Sequence, residues 1–399
     1  MNSRITVAGI HELIHTVHME NQIKRWLQLQ IILEKKSILL LGPRRTGKSF
    51  LIKNQIKPDL NYNLLQADVF RKLSANPELI RQSLNSKIKI IAIDEIQKLP
   101  SLMDEVHSII EDSSVKFILT GSSARKLKKN HTSLMAGRAK LISILPFTKN
   151  ELGKKFDLNQ ALMFGLIPGI YFLENKNEEL LDYVGLYLKE EIMEEARVRK
   201  IENFSRFLNF AALSSGQILN FEKLSQDSQV PARTIREYYQ LLVETLFGYE
   251  INPIKSTASR KCVSKSKFYF FDIGVVNALK NNFNIQPKTI DYGYAFEHFI
   301  FMELKAFQKY KMNQMTIEFW NDYNNGEIDF ILNNEIAIEV KATENVNQQH
   351  LKSMKNFIQA GSLKRHYVVS LDKMNRKDKL INIIYYEDFL DLLWAGKII

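Results

Sequence analysis

The chain has 399 residues, too many for a single compact core, so we expect two or three domains. Its formal net charge of +11 favours polyanionic partners, and its single cysteine, Cys262, excludes an intrachain disulfide framework. No apolar stretch approaches the roughly eighteen residues needed to cross a bilayer, and the N-terminus lacks the charged-then-apolar pattern of a secretion signal. We therefore expect a cytoplasmic chain without a membrane partner.

The segment from Gly42 to Ser49 reads GPRRTGKS and fits the phosphate-binding P-loop pattern without a gap. A short apolar run, Ser37–Leu41, precedes it as a predicted strand, and a helical pattern follows it. Glycines let such a loop wrap around a phosphate at the positive end of the helix. The predicted nucleotide-binding residues are Gly42, Pro43, Arg44, Arg45, Thr46, Gly47, Lys48 and Ser49.

In this pattern the Lys48 ammonium reaches the β- and γ-phosphates, and the Ser49 hydroxyl binds Mg²⁺. The loop therefore predicts a nucleoside triphosphate and a magnesium ion as ligands. ATP is the default nucleotide, because the sequence contains no guanine-specific motif of the small-GTPase kind.

A second motif lies at the end of Ile88–Ile93, a nearly continuous apolar run typical of a buried parallel strand. Asp94 and Glu95 follow it directly, at the strand tip that lies beside the nucleotide in a P-loop fold. Asp94 can hold Mg²⁺ through water, and Glu95 can polarise the attacking water.

A third apolar run, Val115–Thr120, ends in the polar residues TGSS. Polar groups at this tip can sense the γ-phosphate. A plain turn explains the segment nearly as well, and the sequence leaves both interpretations open.

Between Ile38 and Phe147, short apolar runs alternate with amphipathic segments, which predicts a parallel α/β sheet. The predicted strands are Ser37–Leu41, Tyr62–Ala67, Ile88–Ile93, Val115–Thr120 and Lys140–Leu145, and the predicted helices beyond the P-loop are Asn76–Asn85 and Ser101–Ile110. Arg25 and Trp26 precede the first strand, where they could approach a base pocket.

From Thr148 to about Phe210 the pattern turns helical, with a long predicted helix over Glu178–Arg197. Two further helices, Phe221–Ser228 and Pro231–Leu246, have the spacing of the helix–turn–helix in a winged-helix module. The residues that would face a DNA major groove are Arg233, Thr234 and Arg236. A helical hairpin used for packing or self-association explains the spacing equally well.

The segment Asn252–Lys267 carries five basic residues and no acidic one. They are Lys255, Arg260, Lys261, Lys265 and Lys267. Such a loop can lie on phosphates, in a salt-dependent way, or can simply be solvated.

Near the C-terminus, two predicted strands, Ile328–Leu332 and Ile336–Val340, are joined by an Asn-Asn turn. The first carries Asp329, and the second leads through Glu339 to Lys341, two residues apart and so on one face. Metal-dependent nucleases combine an Asp with Glu-x-Lys in this geometry. Glu297, on a predicted helix over Tyr294–Phe307, can add a carboxylate. Chance alternation in an exposed hairpin, or a degenerate remnant of a nuclease, would give the same spacing.

Taken together and in order, these segments resemble a prokaryotic family of predicted AAA-superfamily ATPases. The matching segments are GPRRTGKS, IIAIDEIQKLP, FILTGSSARKL, MAGRAKLISILPF, KFYFFDIGVVNAL, YGYAFEHFIFMELKAF and EIDFILNNEIAIEVKAT. The resemblance implies an AAA-type P-loop sheet with a helical lid, then a winged helix, and an α+β restriction-endonuclease-like domain of the PD-(D/E)xK class. The corresponding divisions are residues 1–147, 148–203, 204–270 and 271–399.

The resemblance also implies roles for single residues. Lys48, Ser49, Asp94 and Glu95 become the nucleotide and Mg²⁺ residues, and Thr120 or Ser122 becomes the strand-tip sensor. Arg138 is suggested as an arginine that reads the γ-phosphate on a neighbouring subunit, which would require a homo-oligomer, or else as a structural anchor. Asp329, Glu339 and Lys341 take the positions of the endonuclease-like core, although fold membership does not establish cleavage.

Three functions follow as hypotheses. The leading one is a Mg²⁺-dependent, ATP-hydrolysing AAA-type ATPase coupled to a C-terminal domain that binds nucleic acid. The second is an ATP-regulated DNA or RNA nuclease. The third is a nucleotide-gated switch or scaffold that binds a protein partner, in which the endonuclease-like strands are only structural. The basic segment, with Arg233 and Arg236, leans toward nucleic acid.

Overall fold

Two β-sheets organise the molecule, one near each end of the chain, with helices and a two-stranded ribbon between them in sequence. The computed structural model describes residues 23–123, 137–188, 201–254, 265–311, 314–322, 326–361 and 363–399. None of the helices within these ranges is long and apolar enough to cross a membrane.

The first sheet has five parallel strands in the order β2-β3-β4-β1-β5. They are β1 (Ser37–Leu41), β2 (Leu60–Asn63), β3 (Ile90–Asp94), β4 (Lys116–Gly121) and β5 (Ala139–Ser143). The central β1 is fully buried, and its Leu39 pairs with Leu119 on one side and Leu141 on the other. Continuous apolar strands of this kind need cover on both faces, which the parallel α/β arrangement supplies. The predicted parallel sheet is confirmed.

The helices of this region are α1 (Leu29–Leu33), α2 (Lys48–Gln55), α3 (Ala67–Ala75), α4 (Leu79–Gln82) and α5 (Leu102–Asp112). The predicted helix Asn76–Asn85 is mostly wrong, since only α4 lies within it. The predicted strand Tyr62–Ala67 is also misplaced. The chain turns after Asn63, whose side-chain oxygen accepts a hydrogen bond from the Leu65 amide, and Ala67 already begins α3.

Four short helices follow the first sheet in the sequence, and we call them the lid. They are α6 (Lys149–Leu152), α7 (Leu158–Phe164), α8 (Pro168–Tyr171) and α9 (Lys176–Asp182). Thr148 starts α6 through a capping box with Glu151. The predicted helix Glu178–Arg197 begins earlier, at Lys176, and changes to π-helical geometry over Tyr183–Leu188. Residues 189–200 lie outside the described residues.

A helix–turn–helix with a β-ribbon comes next. Its helices are α10 (Ile201–Leu213), α11 (Phe221–Ser228) and α12 (Ala232–Glu244), and its strands are β6 (Gly248–Ile251) and β7 (Lys267–Phe270). Gln229 makes the turn in the left-handed region, at φ 55°, and Pro231 is the cap residue just before α12. The two strands pair antiparallel, and Ile218 adds a bridge to Lys267. We call β6 and β7 the ribbon.

The second sheet has six strands, parallel and antiparallel, in the order β12-β13-β11-β10-β9-β8. The strands are β8 (Ile317–Asp322), β9 (Gly326–Leu332), β10 (Ile336–Lys341), β11 (Arg365–Ser370), β12 (Arg376–Asp378) and β13 (Ile381–Tyr385). The predicted hairpin is confirmed: Asn333 and Asn334 both adopt φ 52°, the conformation that a tight two-residue turn needs.

Four helices belong to this C-terminal part: α13 (Ile273–Leu279), α14 (Ile290–Tyr310), α15 (Lys352–Ala360) and α16 (Tyr386–Trp394). The predicted helix Tyr294–Phe307 lies inside α14, which is 21 residues long. One apolar core runs from Leu145 to Ile398 and joins the lid, the helix–turn–helix and one face of the second sheet. Two separate cores cover the faces of the first sheet.

Candidate functional site

The P-loop lies between β1 and α2, at the carboxyl edge of the first sheet. Gly47 adopts φ 90°, which favours glycine. Gly42 admits no side chain, because a Cβ there would lie 2.6 Å from the Ile144 carbonyl oxygen. Thr46 closes the turn by donating its hydroxyl to the Pro43 carbonyl at 2.7 Å. These contacts give the loop its cradle shape at the start of a helix, where the macrodipole attracts phosphate.

Lys48 is the buried cation of this cradle, with 6% of its surface exposed. Its ammonium donates to the Gly42 carbonyl at 2.7 Å and to the Pro43 carbonyl at 3.2 Å. These contacts hold the Lys48 ammonium inside the loop, where a cation binds an anion of phosphate size.

The predicted magnesium residues are adjacent. The Ser49 hydroxyl donates to Asp94 Oδ2 at 3.0 Å, although the two residues are 45 positions apart in sequence. Thr120 donates its hydroxyl to the other Asp94 oxygen and accepts the Glu95 amide at 3.2 Å. A hydroxyl and a carboxylate oxygen at this separation are suitable oxygen ligands for Mg²⁺. The donor set at the tips of β3 and β4 therefore fits the ion that the P-loop implies.

Glu95 lines the same cleft as the P-loop. Its backbone adopts φ 59°, a left-handed conformation that L side chains rarely adopt. Gln97 donates its side-chain amide to Glu95 Oε2 and to the Ser122 hydroxyl, the latter at 2.9 Å. Gln97 thus connects Glu95, the candidate general base, to the tip of β4 by hydrogen bonds.

Gln97 was not predicted from the sequence, because a lone amide two residues after Asp-Glu carries no motif signal. Ser122, by contrast, was predicted as a sensor. It binds Gln97 and has 2% of its surface exposed.

A mostly apolar cleft continues from the P-loop toward the lid, with a volume of about 340 Å³. Its wall includes Arg45, Gly47, Phe50, Phe147 and Phe172. The lid closes on the loop through main-chain contacts, since the Gly169 amide donates to the Arg45 carbonyl at 3.0 Å. An ion pair between the Arg45 and Glu179 side chains adds to this closure.

Arg25 borders this cleft, but it binds protein groups from three regions. Its guanidinium donates to Glu151 Oε1 at 3.0 Å and to the Thr46 carbonyl in the P-loop at 3.3 Å. It also donates to the Tyr310 hydroxyl, at the end of α14, at 3.3 Å. Trp26 does not line the cleft: its ring stacks on Trp394, with centroids 4.9 Å apart. Of the two residues predicted near a base pocket, Arg25 thus lines the cleft and Trp26 does not.

Arg138 precedes β5 at the amino-terminal edge of the sheet, opposite the P-loop. In the register of the sheet, Ser37 lies beside Ala139, whereas Leu41, next to the loop, pairs with Ser143. The Arg138 guanidinium forms an ion pair with Glu111. Arg138 therefore does not contact the nucleotide cleft of its own chain.

The second predicted site is brought together in the C-terminal part. The Asp329 carboxylate accepts the Val340 amide at 2.7 Å, and Lys341 donates to Glu339. Two residues of the ribbon join this group: the Tyr269 hydroxyl donates to Glu297 at 2.6 Å, and the Lys267 ammonium lies 3.6 Å from the same Glu297 oxygen. Lys267 also pairs with Glu327 on β9. We call this set the carboxylate cluster: Lys267, Glu297, Glu327, Asp329, Glu339 and Lys341.

Burial controls the charge of these groups. It raises the pKa of Glu297 to about 7, against the opposing effect of Lys267, and it raises the pKa of Glu339 well above the usual value with help from Asp329. Burial lowers the pKa of Lys267, but Glu297, Glu327 and Asp329 outweigh it, so the net shift is upward. Lys267 is therefore a firmly charged, buried ammonium.

The cluster does not fit a divalent metal ion as it stands. Within the described ranges, no three histidine, cysteine or acidic side chains are grouped so that they could share one. Lys267, with 2% of its side chain exposed, lies among the acids instead. The prediction that Lys267 belongs to a basic loop that lies on phosphates or in solvent is therefore wrong. Its own strand reads KFYF and is wholly buried.

The helix–turn–helix presents a mixed surface. Arg233 has 92% of its side chain exposed and pairs with Glu237, while Arg236 pairs with Glu222 and lies over the Phe221 ring. Thr234 is half-buried. Lys255, Arg260 and Lys261 lie outside the described residues.

Comparisons with known proteins agree with this geometry in the N-terminal part. Residues 34–153 match the model of an AAA domain, and residues 155–286 and 292–389 match two domains of unknown function, DUF8612 and DUF4143. Together with the parallel sheet and the P-loop, the first match defines an AAA-type P-loop domain.

Two relatives are uncharacterized proteins. One, from Methanocaldococcus jannaschii, is 22% identical, with 92% of this chain and 85% of the relative covered. The other, from Haemophilus influenzae, is 22% identical, with 67% and 73% covered.

Among solved structures, the chain is similar to the Aeropyrum pernix ORC1 protein in complex with DNA. That match has a TM-score of 0.29 and 13% identity, and it covers 65% of this chain and 93% of the other. The ADP form of the Aeropyrum pernix ORC2 protein gives a TM-score of 0.31 and 14% identity, covering 66% and 97%. TM-scores below 0.5 carry no functional argument.

Proposed function

We propose that this chain is a Mg²⁺-dependent, ATP-binding and ATP-hydrolysing AAA-type ATPase coupled to its C-terminal domain. The observation that carries the proposal is the contact between the Ser49 hydroxyl and the Asp94 carboxylate, 3.0 Å apart beside a P-loop with a buried lysine. A hydroxyl and a carboxylate side by side next to a P-loop, at the edge of a parallel sheet, are the arrangement that binds a metal–triphosphate complex.

In the proposed reaction, the amides of the loop and Lys48 bind the β- and γ-phosphates, and the apolar cleft receives the base. Ser49 and Asp94 would hold Mg²⁺, which neutralises phosphate charge. Glu95 orients a water toward the γ-phosphorus and accepts its proton, and Gln97 and Thr120 fix the position of Glu95.

Coupling to the C-terminal domain follows from Arg25 and α14. Arg25 binds the Thr46 carbonyl within the P-loop and the Tyr310 hydroxyl at the end of α14. Glu297 of the carboxylate cluster lies on the same helix, thirteen residues earlier, or roughly 20 Å along the axis at ~1.5 Å per residue. A shift of the P-loop on hydrolysis would therefore move a rigid element that reaches the cluster.

The proposed partner is nucleic acid. The net charge of +11 supports it, as does a helix–turn–helix followed by a ribbon, which we interpret as a winged helix with an exposed Arg233. A role for Arg138 at the γ-phosphate would require a neighbouring subunit, and its pairing with Glu111 equally fits a structural anchor.

Steady-state ATP hydrolysis by the full chain, with and without DNA, tests the proposal. The wild type should hydrolyse ATP in the presence of Mg²⁺, and DNA should stimulate it. Glu95→Gln should bind ATP like the wild type but turn over about 100-fold more slowly, because it keeps the Gln97 contact and loses the base. Unchanged turnover by Glu95→Gln would contradict the assigned role of the base.

A second candidate is a nucleotide-gated switch whose endonuclease-like fold is inactive and binds a protein partner. The buried Lys267 among the acids favours this reading over an ATP-regulated DNA or RNA nuclease. Tight ATP binding with negligible turnover, and no shift of labelled DNA at low salt, would select the switch. Mg²⁺-dependent cleavage lost in Lys341→Ala would select the nuclease.

A further inference from the structure

The carboxylate cluster brings four acids and two lysines together from four elements. Glu297 comes from α14, Glu327 and Asp329 from β9, and Glu339 and Lys341 from β10. Lys267 alone comes from the ribbon, at the first residue of β7. The formal charge of these six side chains is −2.

The contacts divide the cluster into two halves. On one side Lys341 satisfies one oxygen of Glu339, and on the other Lys267 lies against Glu297 and Glu327. The second oxygen of Glu339 is buried without a hydrogen-bond partner, and Glu339 itself is 2% exposed. An unpartnered buried carboxylate oxygen is costly, so the cluster still attracts positive charge.

Lys267 is held in place by more than its ion pairs. Its strand pairs with β6, and the Leu219 amide donates to the Ser266 carbonyl at 2.8 Å. The chain beyond β6 is joined to the second sheet, where the Ile254 amide donates to the Phe319 carbonyl at 2.8 Å. The ammonium also lies 5.3 Å from the centre of the Phe319 ring. The ribbon thus holds the Lys267 ammonium in a fixed position among the acids.

We propose that the Lys267 ammonium is the resident cation of the carboxylate cluster: it keeps the acids apart, so that they can close on a divalent metal ion only when Lys267 is removed. The endonuclease-like core then holds an internal ion cluster, and binding of a divalent cation and seating of Lys267 exclude each other. This inference does not depend on the proposed ATPase activity.

Binding of Mn²⁺ alone, followed through the electron paramagnetic resonance signal of the free ion, tests the proposal. All proteins carry Asp94→Asn and no nucleotide is added, so that the P-loop site does not contribute. The otherwise unaltered chain should show no Mn²⁺ binding that depends on Asp329. Lys267→Met, which keeps the length of the side chain and removes its charge, should bind Mn²⁺ at least tenfold more tightly, and Asp329→Asn should abolish that gain.

Lys267→Met leaves several acids unbalanced, so a second variant guards against misfolding. The double variant Lys267→Met/Glu327→Gln removes one acid together with the Lys267 charge and retains Glu297, Asp329 and Glu339. Lys267→Arg is the charge-retaining control and should bind no Mn²⁺ at the cluster. The proposal is overturned by Asp329-dependent Mn²⁺ binding with Lys267 present, or by folded Lys267→Met and double variants that gain no such binding.

Discussion

The P-loop and the carboxylate cluster contain the same kinds of residue, but their buried lysines contact different groups. Each has a buried lysine beside acids at the ends of sheet strands. Lys48 donates to main-chain carbonyls at the start of a helix, and Asp94 accepts hydrogen bonds from two hydroxyls. Lys267, in contrast, is paired directly with Glu297 and Glu327.

This difference separates a ligand site from an internal ion cluster. A buried charged group in a cleft is tolerated where a charged ligand completes the site. Buried charge that is paired within the chain contributes to folding, and breaking the pair leaves an isolated ion. The two lysines should therefore respond in different ways to removal, one in ligand binding and the other in stability.

The largest expected effect is on nucleotide binding. Lys48→Ala should lower ATP affinity by more than about 100-fold, a loss of roughly 3 kcal/mol, because the cradle loses its cation while the fold keeps its contacts. Fluorescence of an ATP analogue measures the affinity, and Lys36→Ala, at an exposed position just before β1 and away from the P-loop, is the control. Equal affinities in the two variants would contradict the assignment.

The next effect is on stability. Lys267→Met should lower the free energy of unfolding by about 3 kcal/mol, since it leaves Glu297 and Glu327 without their cation. Denaturant unfolding measures this change, and ATP affinity in the same variant should stay close to that of the wild type. Lys265→Met, at an exposed position two residues earlier, is the control. If Lys267→Met lost more free energy of ATP binding than free energy of unfolding, the proposed difference between the two sites would be contradicted.

Glu303 on α14 offers a buried acid with no such cation. It accepts the Lys149 amide at 2.6 Å and the Trp394 ring N–H at 3.1 Å, and burial raises its pKa to about 7. Because the folded protein then retains a proton that the unfolded chain releases, stability falls as pH rises from about 4.5 to 7.

Glu303→Gln removes this dependence. The free energy of unfolding of the variant, relative to the wild type, should rise by up to roughly 3 kcal/mol between pH 4.5 and 7, as the shift of the Glu303 pKa implies. Denaturant unfolding at several pH values measures it. A relative stability that stays constant with pH would show that folding does not raise the Glu303 pKa.

The smallest effect concerns Gln97. Gln97→Ala should lower the turnover of ATP about tenfold with little change in affinity, because Glu95 loses the amide that orients it while the phosphate cradle is untouched. Single-turnover hydrolysis separates the chemical step from binding, and Lys98→Ala, at the exposed next residue, is the control. A change confined to affinity would place Gln97 in binding instead of positioning.

The sequence was informative where function lies in contiguous residues. The loop from Gly42 to Ser49 and the pair Asp94 and Glu95 could be predicted, because a phosphate cradle and a strand tip each fit into a short segment. The hairpin of Asp329 and Glu339 was predicted for the same reason, since its turn residues enforce the register.

Contacts between distant segments could not be predicted in this way. Lys267 belongs by composition to a basic segment, and its burial depends on acids 30 and 60 positions later. Arg25 lies at the predicted cleft, but its contacts with Glu151 and Tyr310 had no signal in the sequence. A short stretch of sequence does not show which distant residue will form an ion pair or hydrogen bond with one of its side chains.

The stacking of Trp26 on Trp394 has a consequence for synthesis on the ribosome. The segment that carries Arg25 emerges early, but its aromatic partner is added more than three hundred residues later. A nascent chain that does not yet include α16 would lack this stacking beside Arg25. The contact of Trp26 with Trp394 is therefore among the late steps in the synthesis of this fold.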